Sequence, residues 1–251
     1  MLEGIKDYIN PPITDHRIFF FHIAKCGGTS IANAIVRCYK PWRPKNALSI
    51  VTLNENAARY AERNTIGDGN LVRRDLLNYM MSLPEVKCIA GHFFYSNTAH
   101  DTYGDRWHFI TVLRNPIDRF LSHYRYNHLK GKIQVPIEEF VETKLGASFG
   151  RAFVDEVTED VEKDAIGIEK LTEIAIERYR RFTLVGTIDD IPAFTRRFEE
   201  IFSHRLTIKH LNQTPKSPKT SLSKIPDHVR KKIAQLCEPD AYLYRKIIDV
   251  K

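Results

Sequence analysis

The residues best suited to bind an anion lie in a short segment near the start of the chain. It holds a lysine, a cysteine, two glycines and two hydroxyl residues: Lys25, Cys26, Gly27, Gly28, Thr29 and Ser30. An apolar run at 17–24 precedes it, so we predict a buried strand, then a helix capped by Thr29 or Ser30. Free N–H groups and the positive end of a helix dipole meet at such a junction, and Lys25 adds a full charge. The segment is a candidate phosphate site; the alternative is a plain strand–helix turn with glycines for packing.

The order of these residues differs from that of the nucleotide-binding loop of P-loop kinases. That loop reads G-x-x-x-x-G-K-[ST], with the lysine after the glycines. Here Lys25 precedes Gly27 and Gly28, and the four-residue spacer is missing. A P-loop nucleotide kinase or other phosphotransferase therefore stays an alternative, and it would also need an acid that binds magnesium.

A second pair of candidate anion ligands lies at the end of a later apolar run. The stretch at 111–124 reads TVLRNPIDRFLSHY, in which Arg114 follows the run and Ser122 lies two helical turns further on. A guanidinium fork and a hydroxyl at one edge of a sheet suit a second phosphate group. The alternative is an ion pair between Arg114 and an acid such as Asp118, with Ser122 as an ordinary exposed helix residue.

Four apolar runs of strand length predict the sheet that positions these residues. They lie at 17–24, 86–94, 107–113 and 182–187. Each is short and nearly continuous, which is typical of strands buried on both faces of a parallel sheet. Helical segments separate them, so the sequence predicts a three-layer α/β sandwich with a mostly parallel central sheet.

The predicted helices have recognisable ends. Asn115 is the candidate cap of a helix that runs to about Leu129, with Pro116 in its first turn. Asp189 or Asp190 is the candidate cap of a helix at 192–202. The remaining predictions are a helical stretch at 137–181, a loop at 209–226, a final helix at 227–247, and a single domain over 1–251.

Together, the two candidate sites resemble the 5′-phosphosulfate loop and the 3′-phosphate motif of sulfotransferases that use 3′-phosphoadenosine 5′-phosphosulfate (PAPS). The spelling is similar to that of the carbohydrate group that includes heparan sulfate 2-O-sulfotransferase and many bacterial relatives. That group writes His-Ile-Pro-Lys-Thr-Gly-Gly-Thr-Ser and Leu-Arg-Asn-Pro-x-x-Arg-x-x-Ser-x-Tyr; here Ala24 replaces the proline and Cys26 the threonine. The resemblance implies a P-loop-NTPase-like sulfotransferase fold. It also implies transfer of a sulfuryl group from PAPS to a hydroxyl or amine, on a glycan, glycolipid or other glycoconjugate.

The resemblance also implies a role for each matching residue. Lys25 would stabilise charge on the departing 5′-phosphate, and the segment 26–30 would bind the phosphosulfate. Arg114 and Ser122 would hold the 3′-phosphate, and the loop at 209–226 would close over it. The candidate contacts in that loop are Lys219, Thr220 and Ser221. The implied product is adenosine 3′,5′-bisphosphate, and the implied reaction needs no metal ion.

A general base should take the proton of the acceptor, and His92 is our choice. It follows the run at 86–94 on the same sheet edge as the other candidate residues, and a histidine pKa suits proton transfer near neutrality. A similar glycine–histidine pair in heparan sulfate 2-O-sulfotransferase supports the choice. The alternatives are a packed structural role for His92, or one of the acids Glu55, Asp75 and Asp101 as base. His22 lies on a buried strand, so we predict a structural role for it.

Composition and charge exclude several classes of protein. Apolar residues make up 43% and charged residues 27% of the 251 residues, unlike a disordered chain or a fibrous rod. The net charge is +7, and the tract at 203–232, with eight basic residues and one acid, carries all of it. A nucleic-acid-binding module is therefore the non-enzymatic alternative. The tract holds no aromatic residue that could stack on bases, so we expect no nucleic-acid partner.

The cysteines and the apolar runs bear on the compartment. The four cysteines are far apart, without a C-x-x-C pair, which favours a reducing compartment over a disulfide or zinc scaffold. No run reaches the 18 apolar residues of a membrane span, and the first residues lack the pattern of a secretory signal. We expect a bacterial cytoplasmic enzyme without an integral membrane segment. The Golgi lumen is the alternative if a membrane anchor precedes the sequence.

Overall fold

The computed structural model describes residues 13, 15–39, 50–64, 69–209 and 225–248. Most of the predicted loop at 209–226, including Lys219, Thr220 and Ser221, lies outside the described residues. The chain divides into two compact units: unit 1 is Met1–His22, Gly27–Val112 and Phe182–Leu211, and unit 2 is Ile23–Cys26, Leu113–Arg181 and Asn212–Lys251. Whether they act as the predicted single domain stays a prediction.

Strands and helices alternate through most of the chain. The strands are β1 (Ile18–Phe21), β2 (Ile50–Thr52), β3 (Cys88–Gly91), β4 (His108–Leu113) and β5 (Leu184–Thr187). The first five helices are α1 (Gly28–Cys38), α2 (Glu55–Asn64), α3 (Gly69–Ser82), α4 (Asn97–Tyr103) and α5 (Pro116–Leu129). The next five are α6 (Ile137–Phe140), α7 (Lys144–Gly150), α8 (Ala152–Val157), α9 (Asp160–Ala165) and α10 (Ile168–Arg180). The last three are α11 (Ile191–Phe202), α12 (Asp227–Leu236) and α13 (Glu238–Ile248).

The strands form one parallel sheet in the order β2-β3-β1-β4-β5. Ile18 of β1 lies beside Cys88 of β3 and beside His108 of β4. The chain therefore builds the sheet on one side of β1 first and on the other side from β4 onward. Such a reversal leaves a crevice at the carboxyl ends of the strands, where parallel α/β sheets bind ligands. The predicted α/β fold with a mostly parallel sheet is confirmed.

Unit 1 has three layers because alternate residues of each strand face opposite sides of the sheet. On one side, Phe20 of β1 packs in a cluster with Ile35 of α1 and Phe198 of α11. On the other side, the ring of Phe109 in β4 stacks on His100 of α4, with ring centroids 4.3 Å apart. Helices therefore cover both faces, as predicted.

Unit 2 is helical. The stretch predicted as helical at 137–181 forms α6–α10. Phe120 of α5, Phe140 of α6, Phe149 of α7 and Ile233 of α12 pack in one buried cluster. This cluster includes residues of α5, the helix that carries Ser122.

A buried carboxylate links α13 to the start of α8 in unit 2. Asp240 accepts hydrogen bonds from the backbone N–H groups of Phe153 and Val154 at 2.9–3.1 Å. Burial raises the pKa of Asp240 to about 7, although the Arg119 guanidinium and these hydrogen bonds oppose the rise. The group is thus protonated more readily in the folded protein than in the unfolded chain.

The predicted cap of α1 is wrong. The helix begins at Gly28 with Gly27 as its N-cap, so Thr29 and Ser30 lie inside the first turn and neither caps it. Gly27 adopts a left-handed backbone (φ 71°), which glycine reaches without steric cost. The chain therefore enters the helix earlier than a hydroxyl cap would allow.

The single final helix is also wrong, and one strand was not predicted. The structure has two helices there, because Pro239 has no N–H to continue the ladder and forms the first turn of α13 instead. The missed strand, β2, is three residues long and only partly buried. It is stabilised by pairing with β3, whose residues lie far from it in the sequence.

Candidate anion-binding site

The loop between β1 and α1 has an unusual backbone at Lys25. Its φ is 69°, one of two positive values at described residues other than glycine. Left-handed backbone at such a residue costs roughly 1–2 kcal/mol, so the surrounding structure imposes it. The first turn of α1 follows, where the N–H groups of Gly28, Thr29 and Ser30 have no partner within the helix. That turn contains no acidic residue, so its positive end is not neutralised locally.

Lys25 and Arg114, which come from the two separate motifs, lie together in unit 2. The Arg114 Nη1 donates a hydrogen bond to the Lys25 carbonyl oxygen at 3.4 Å. Burial, and then the charge of Arg114, lower the pKa of Lys25 below its usual range. Among the described residues no carboxylate pairs with either cation, so the predicted alternative of an Arg114–Asp118 ion pair is absent there.

The start of α5 fixes Arg114 as predicted. The Asn115 side chain caps the helix, accepting from the N–H groups of Ile117 and Asp118 at 3.1 and 3.3 Å, and Pro116 occupies the first turn. Arg114 is therefore clamped between the last residue of β4 and a capped helix. The helix ends at Leu129, also as predicted.

The Tyr126 ring holds the Lys25 side chain. The Lys25 Nζ lies 4.3 Å from the centroid of that ring, within the range of a cation–π contact. Ser122 is partly buried and lies four residues before Tyr126 on α5, so both project from one face of the helix. Three predicted residues, Lys25, Arg114 and Ser122, thus belong to one region of unit 2.

Cys26 differs from its neighbours because its side chain points into the interior of unit 2. The residue is 1% exposed, and its Sγ lies 3.9 Å from the Ala24 carbonyl oxygen. Burial raises the pKa of its thiol to about 12. The structure gives this side chain a packing role, and its predicted contact with the donor stays a prediction.

His92 lies in unit 1, immediately after β3, and packs on His22. The two imidazole rings are stacked with centroids 4.1 Å apart. The His92 carbonyl oxygen accepts a hydrogen bond from Arg73 Nη1 at 2.6 Å. The rival acids have less suitable surroundings, since Asp75 on α3 and Asp101 on α4 are exposed. Glu55 is the first residue of α2.

Sequence reasoning missed three residues that contact the predicted ones: Tyr126 at Lys25 in unit 2, and Arg73 and the ring of His22 at His92 in unit 1. Tyr126 had a local signal, because it lies one helical turn after Ser122. Arg73 had none, since it reaches His92 from a helix 19 residues away in the chain. Within the described residues, no three or more His, Cys, Asp or Glu side chains are grouped so that they could hold a metal ion. None of the helices in that part of the chain has both the length and the apolar character of a membrane span.

A family model matches the chain over more than half of its length, whereas the similar solved structures are distant. A family model described as "Sulfotransferase family" matches residues 13–143, more than half of the chain. Comparison with curated proteins finds no significant match. The chain is similar to a sulfotransferase from Alicyclobacillus acidocaldarius at 16% identity and a TM-score of 0.46, over 92% of this chain and 96% of that one. It is also similar to mouse sulfotransferase SULT7A1 complexed with PAP, at 16% identity and a TM-score of 0.38, over 92% and 68%. At these scores the two structural likenesses carry no argument.

Proposed function

The chain belongs to the sulfotransferase family, and on that premise we propose that it transfers a sulfuryl group from PAPS to a hydroxyl or amine of a carbohydrate or glycoconjugate. The observation that carries the choice of donor is the contact of Lys25 with Arg114 in unit 2. Two adjacent cations without a described counter-charge favour a ligand that carries several negative charges. PAPS has such charges at its 5′ and 3′ ends.

The residues divide between the two ends of this donor. When bound, PAPS supplies the activated sulfuryl group. Lys25 and the free N–H groups at the start of α1 neutralise charge at the 5′-phosphate, where it grows as the transferred group leaves. Arg114 and Ser122 bind the 3′-phosphate. The hydrogen bond from the Arg114 guanidinium to the Lys25 carbonyl oxygen supports its role, because a preorganised guanidinium loses little freedom on binding.

His92 serves as the general base. It takes the proton of the acceptor group while a new bond forms from that group to sulfur. The bond from sulfur to the 5′-phosphate oxygen breaks in the same step, and adenosine 3′,5′-bisphosphate leaves. The position of His92 at the carboxyl end of β3 supports this role, since its side chain is only partly buried and its backbone carbonyl oxygen is held by Arg73.

The acceptor class and the compartment rest on different grounds. The resemblance of both motifs to the carbohydrate group supports a glycan or glycolipid hydroxyl as acceptor. The cytoplasm is the compartment that we propose. The four cysteines support it, since they are free and buried in the structure, as reducing conditions would keep them.

Thermal unfolding with candidate ligands tests the choice of donor. Adenosine 3′,5′-bisphosphate at a hundred times its Kd stabilises a protein by about 2.7 kcal/mol. For a chain of this size that corresponds to a rise in Tm of roughly 5–11 °C. ATP with magnesium and a single-stranded oligonucleotide serve as comparisons. Stabilisation by ATP with magnesium alone would favour the kinase alternative, and stabilisation by the oligonucleotide alone the nucleic-acid alternative.

Transfer assays test the residues. With radiolabelled sulfate on the donor and a panel of glycan, glycolipid and small hydroxyl acceptors, we expect incorporation into the glycan or glycolipid class. Lys25→Ala should abolish transfer, and Arg114→Ala should weaken bisphosphate binding, while Lys144→Ala removes an exposed lysine of α7 as a matched control. Normal turnover in both site variants would overturn the assignment.

A further inference from the structure

Two histidine rings stack at the carboxyl edge of the sheet in unit 1. His22 follows β1 and His92 follows β3, and the strand register pairs Phe21 with Gly91 just before them. The backbone N–H of His22 donates to the Gly91 carbonyl oxygen at 3.2 Å, which extends the hydrogen bonding between β1 and β3 by one residue. The ring centroids are 4.1 Å apart and the ring planes 25° apart. Because parallel pairing sets the two residues side by side, the stack is built into the sheet.

The His22 ring also packs tightly against the first turn of α1. A Cβ atom placed on Gly28 would lie 2.0 Å from His22 Cδ2 and 2.3 Å from His22 Nε2. No side chain fits in that space, so glycine is needed at position 28. The His22 ring thus lies between the helix start and His92, and has little room to rotate.

Arg73 reaches His92 from a neighbouring helix. Arg73 of α3 binds the His92 carbonyl oxygen and forms an ion pair with Glu62 of α2. The β1 side contributes His22, where burial lowers the pKa of the imidazole to about 3. His22 therefore stays uncharged near neutrality and does not repel a proton taken up by His92. Arg73 binds the backbone of His92, and the stack with His22 acts on its ring.

We propose that His22 is a positioning residue, whose ring holds the His92 imidazole in the orientation that accepts the proton of the acceptor. This inference rests on the proposed function of His92. A base held in one orientation reacts faster than a mobile one, since it has already lost the freedom that the transition state removes. His22 does not act as a second base in this proposal, because its ring is packed between Gly28 and the His92 ring.

The test compares four variants by kcat, KM and the pH dependence of kcat. His22→Ala removes the stack, His22→Phe keeps a flat ring there, and His92→Asn removes the proposed base. His16→Phe is the matched control, since His16 contacts another histidine, His108, with ring centroids 5.2 Å apart, at the opposite, amino ends of β1 and β4. The rise in Tm with adenosine 3′,5′-bisphosphate shows that each variant is folded and binds the nucleotide.

We expect His22→Ala to lower kcat about two- to twelvefold, the worth of one aromatic stack. The KM values for acceptor and donor should stay near those of the unchanged protein, because the His22 ring orients the base and binds neither ligand. His22→Phe should lose less, and His16→Phe should behave like the unchanged protein. If His22→Ala does not fold, His22→Leu decides, since an apolar side chain without a flat ring should lower kcat more than His22→Phe does, and equal kcat values in the two variants would overturn the inference.

Two results would overturn the inference without touching the proposed function. One is an unchanged kcat and pH profile in His22→Ala while His92→Asn is inactive. The other is a loss in His22→Phe as large as in His92→Asn, which would make His22 itself a base. Full activity in His92→Asn is different, because it would refute the assignment of His92 in the proposed function.

Discussion

The contact between Lys25 and Tyr126 leads to a prediction about the reactivity of a single amine. The Lys25 Nζ lies 4.3 Å from the centroid of the Tyr126 ring, and Tyr126 as a whole residue is 45% exposed. A cation–π contact at an exposed site stabilises the charged form by about 0.5–1 kcal/mol. Burial and Arg114 act in the opposite direction and lower the pKa of Lys25. The ring therefore offsets part of the cost of keeping an ammonium beside a guanidinium.

Tyr126→Leu removes the ring but keeps an apolar side chain on α5. Without the ring the charged form of Lys25 is less stable, so its pKa falls further. At a fixed pH below that pKa, the fraction present as free amine rises about two- to fivefold. Tyr126→Phe keeps the ring and should leave the fraction unchanged. Arg114→Gln removes the repelling charge, so it should raise the pKa of Lys25 and lower the free-amine fraction.

Competitive acylation of the unliganded protein measures this fraction without relying on activity. A trace amount of acetic anhydride labels amines in proportion to their free-base form, and peptide mass spectrometry reads Lys25 against the exposed reference Lys144. Labelling of Lys25 should rise in Tyr126→Leu and fall in Arg114→Gln. Equal labelling in Tyr126→Leu and the unchanged protein would refute the role of the ring. An equal rise in Tyr126→Phe would assign the effect to the hydroxyl instead.

Three further changes have expected outcomes from the same contacts. Gly28→Ala places a Cβ 2.0 Å from the His22 ring and should destabilise the fold by about 1–3 kcal/mol in urea unfolding, whereas Gly167→Ala, with its nearest atom at 3.5 Å, should have little effect. The pKa of Asp240 is raised from 3.8 to about 7, so its contribution to stability is complete below pH 4 and is lost as the pH rises through 7. The unfolding free energy should therefore differ less between pH 4 and pH 8 in Asp240→Asn, by up to about 4 kcal/mol. An unchanged difference would contradict the raised pKa of Asp240. Asn115→Ala removes the cap of α5 and should cost about 1 kcal/mol in the same assay, an effect that thermal unfolding can verify.

The sheet and the cap of α5 were predictable because their causes are local. Four apolar runs of strand length became β1, β3, β4 and β5, and Asn115 with Pro116 marked the start of α5. The clearest case is β4, which spans 108–113 where the sequence predicts a strand at 107–113. Elements set by long-range pairing were not predictable. β2 is only three residues long, too short for its Ile50-Val51 pair to predict a strand, and it forms by pairing with β3.

For the candidate site, the sequence identified the charged residues but not the side chains that hold them. Lys25 and Arg114 stood out because each follows an apolar run. The ring of Tyr126 over Lys25 and the stack of His22 on His92 depend on helix rotation and strand register, which no single motif encodes. The break before Pro239 was a readable signal that the prediction overlooked, because proline lacks the N–H that a continuous helix needs.

The net charge of +7 is a poor guide to the anion site. In the basic tract at 203–232, the described residues Arg230 and Lys232 pair with Asp227 and Glu142. Lys25, outside that tract, has an aromatic ring where a carboxylate could have been. The ring differs from an acid in one respect that matters for binding: it stabilises the ammonium while leaving its full charge in place. An acid at the same position would hold the lysine more strongly and would cancel much of the attraction for a phosphate. The choice of Tyr126 therefore keeps Lys25 in position and still positive, which is what a site for a multiply charged nucleotide requires.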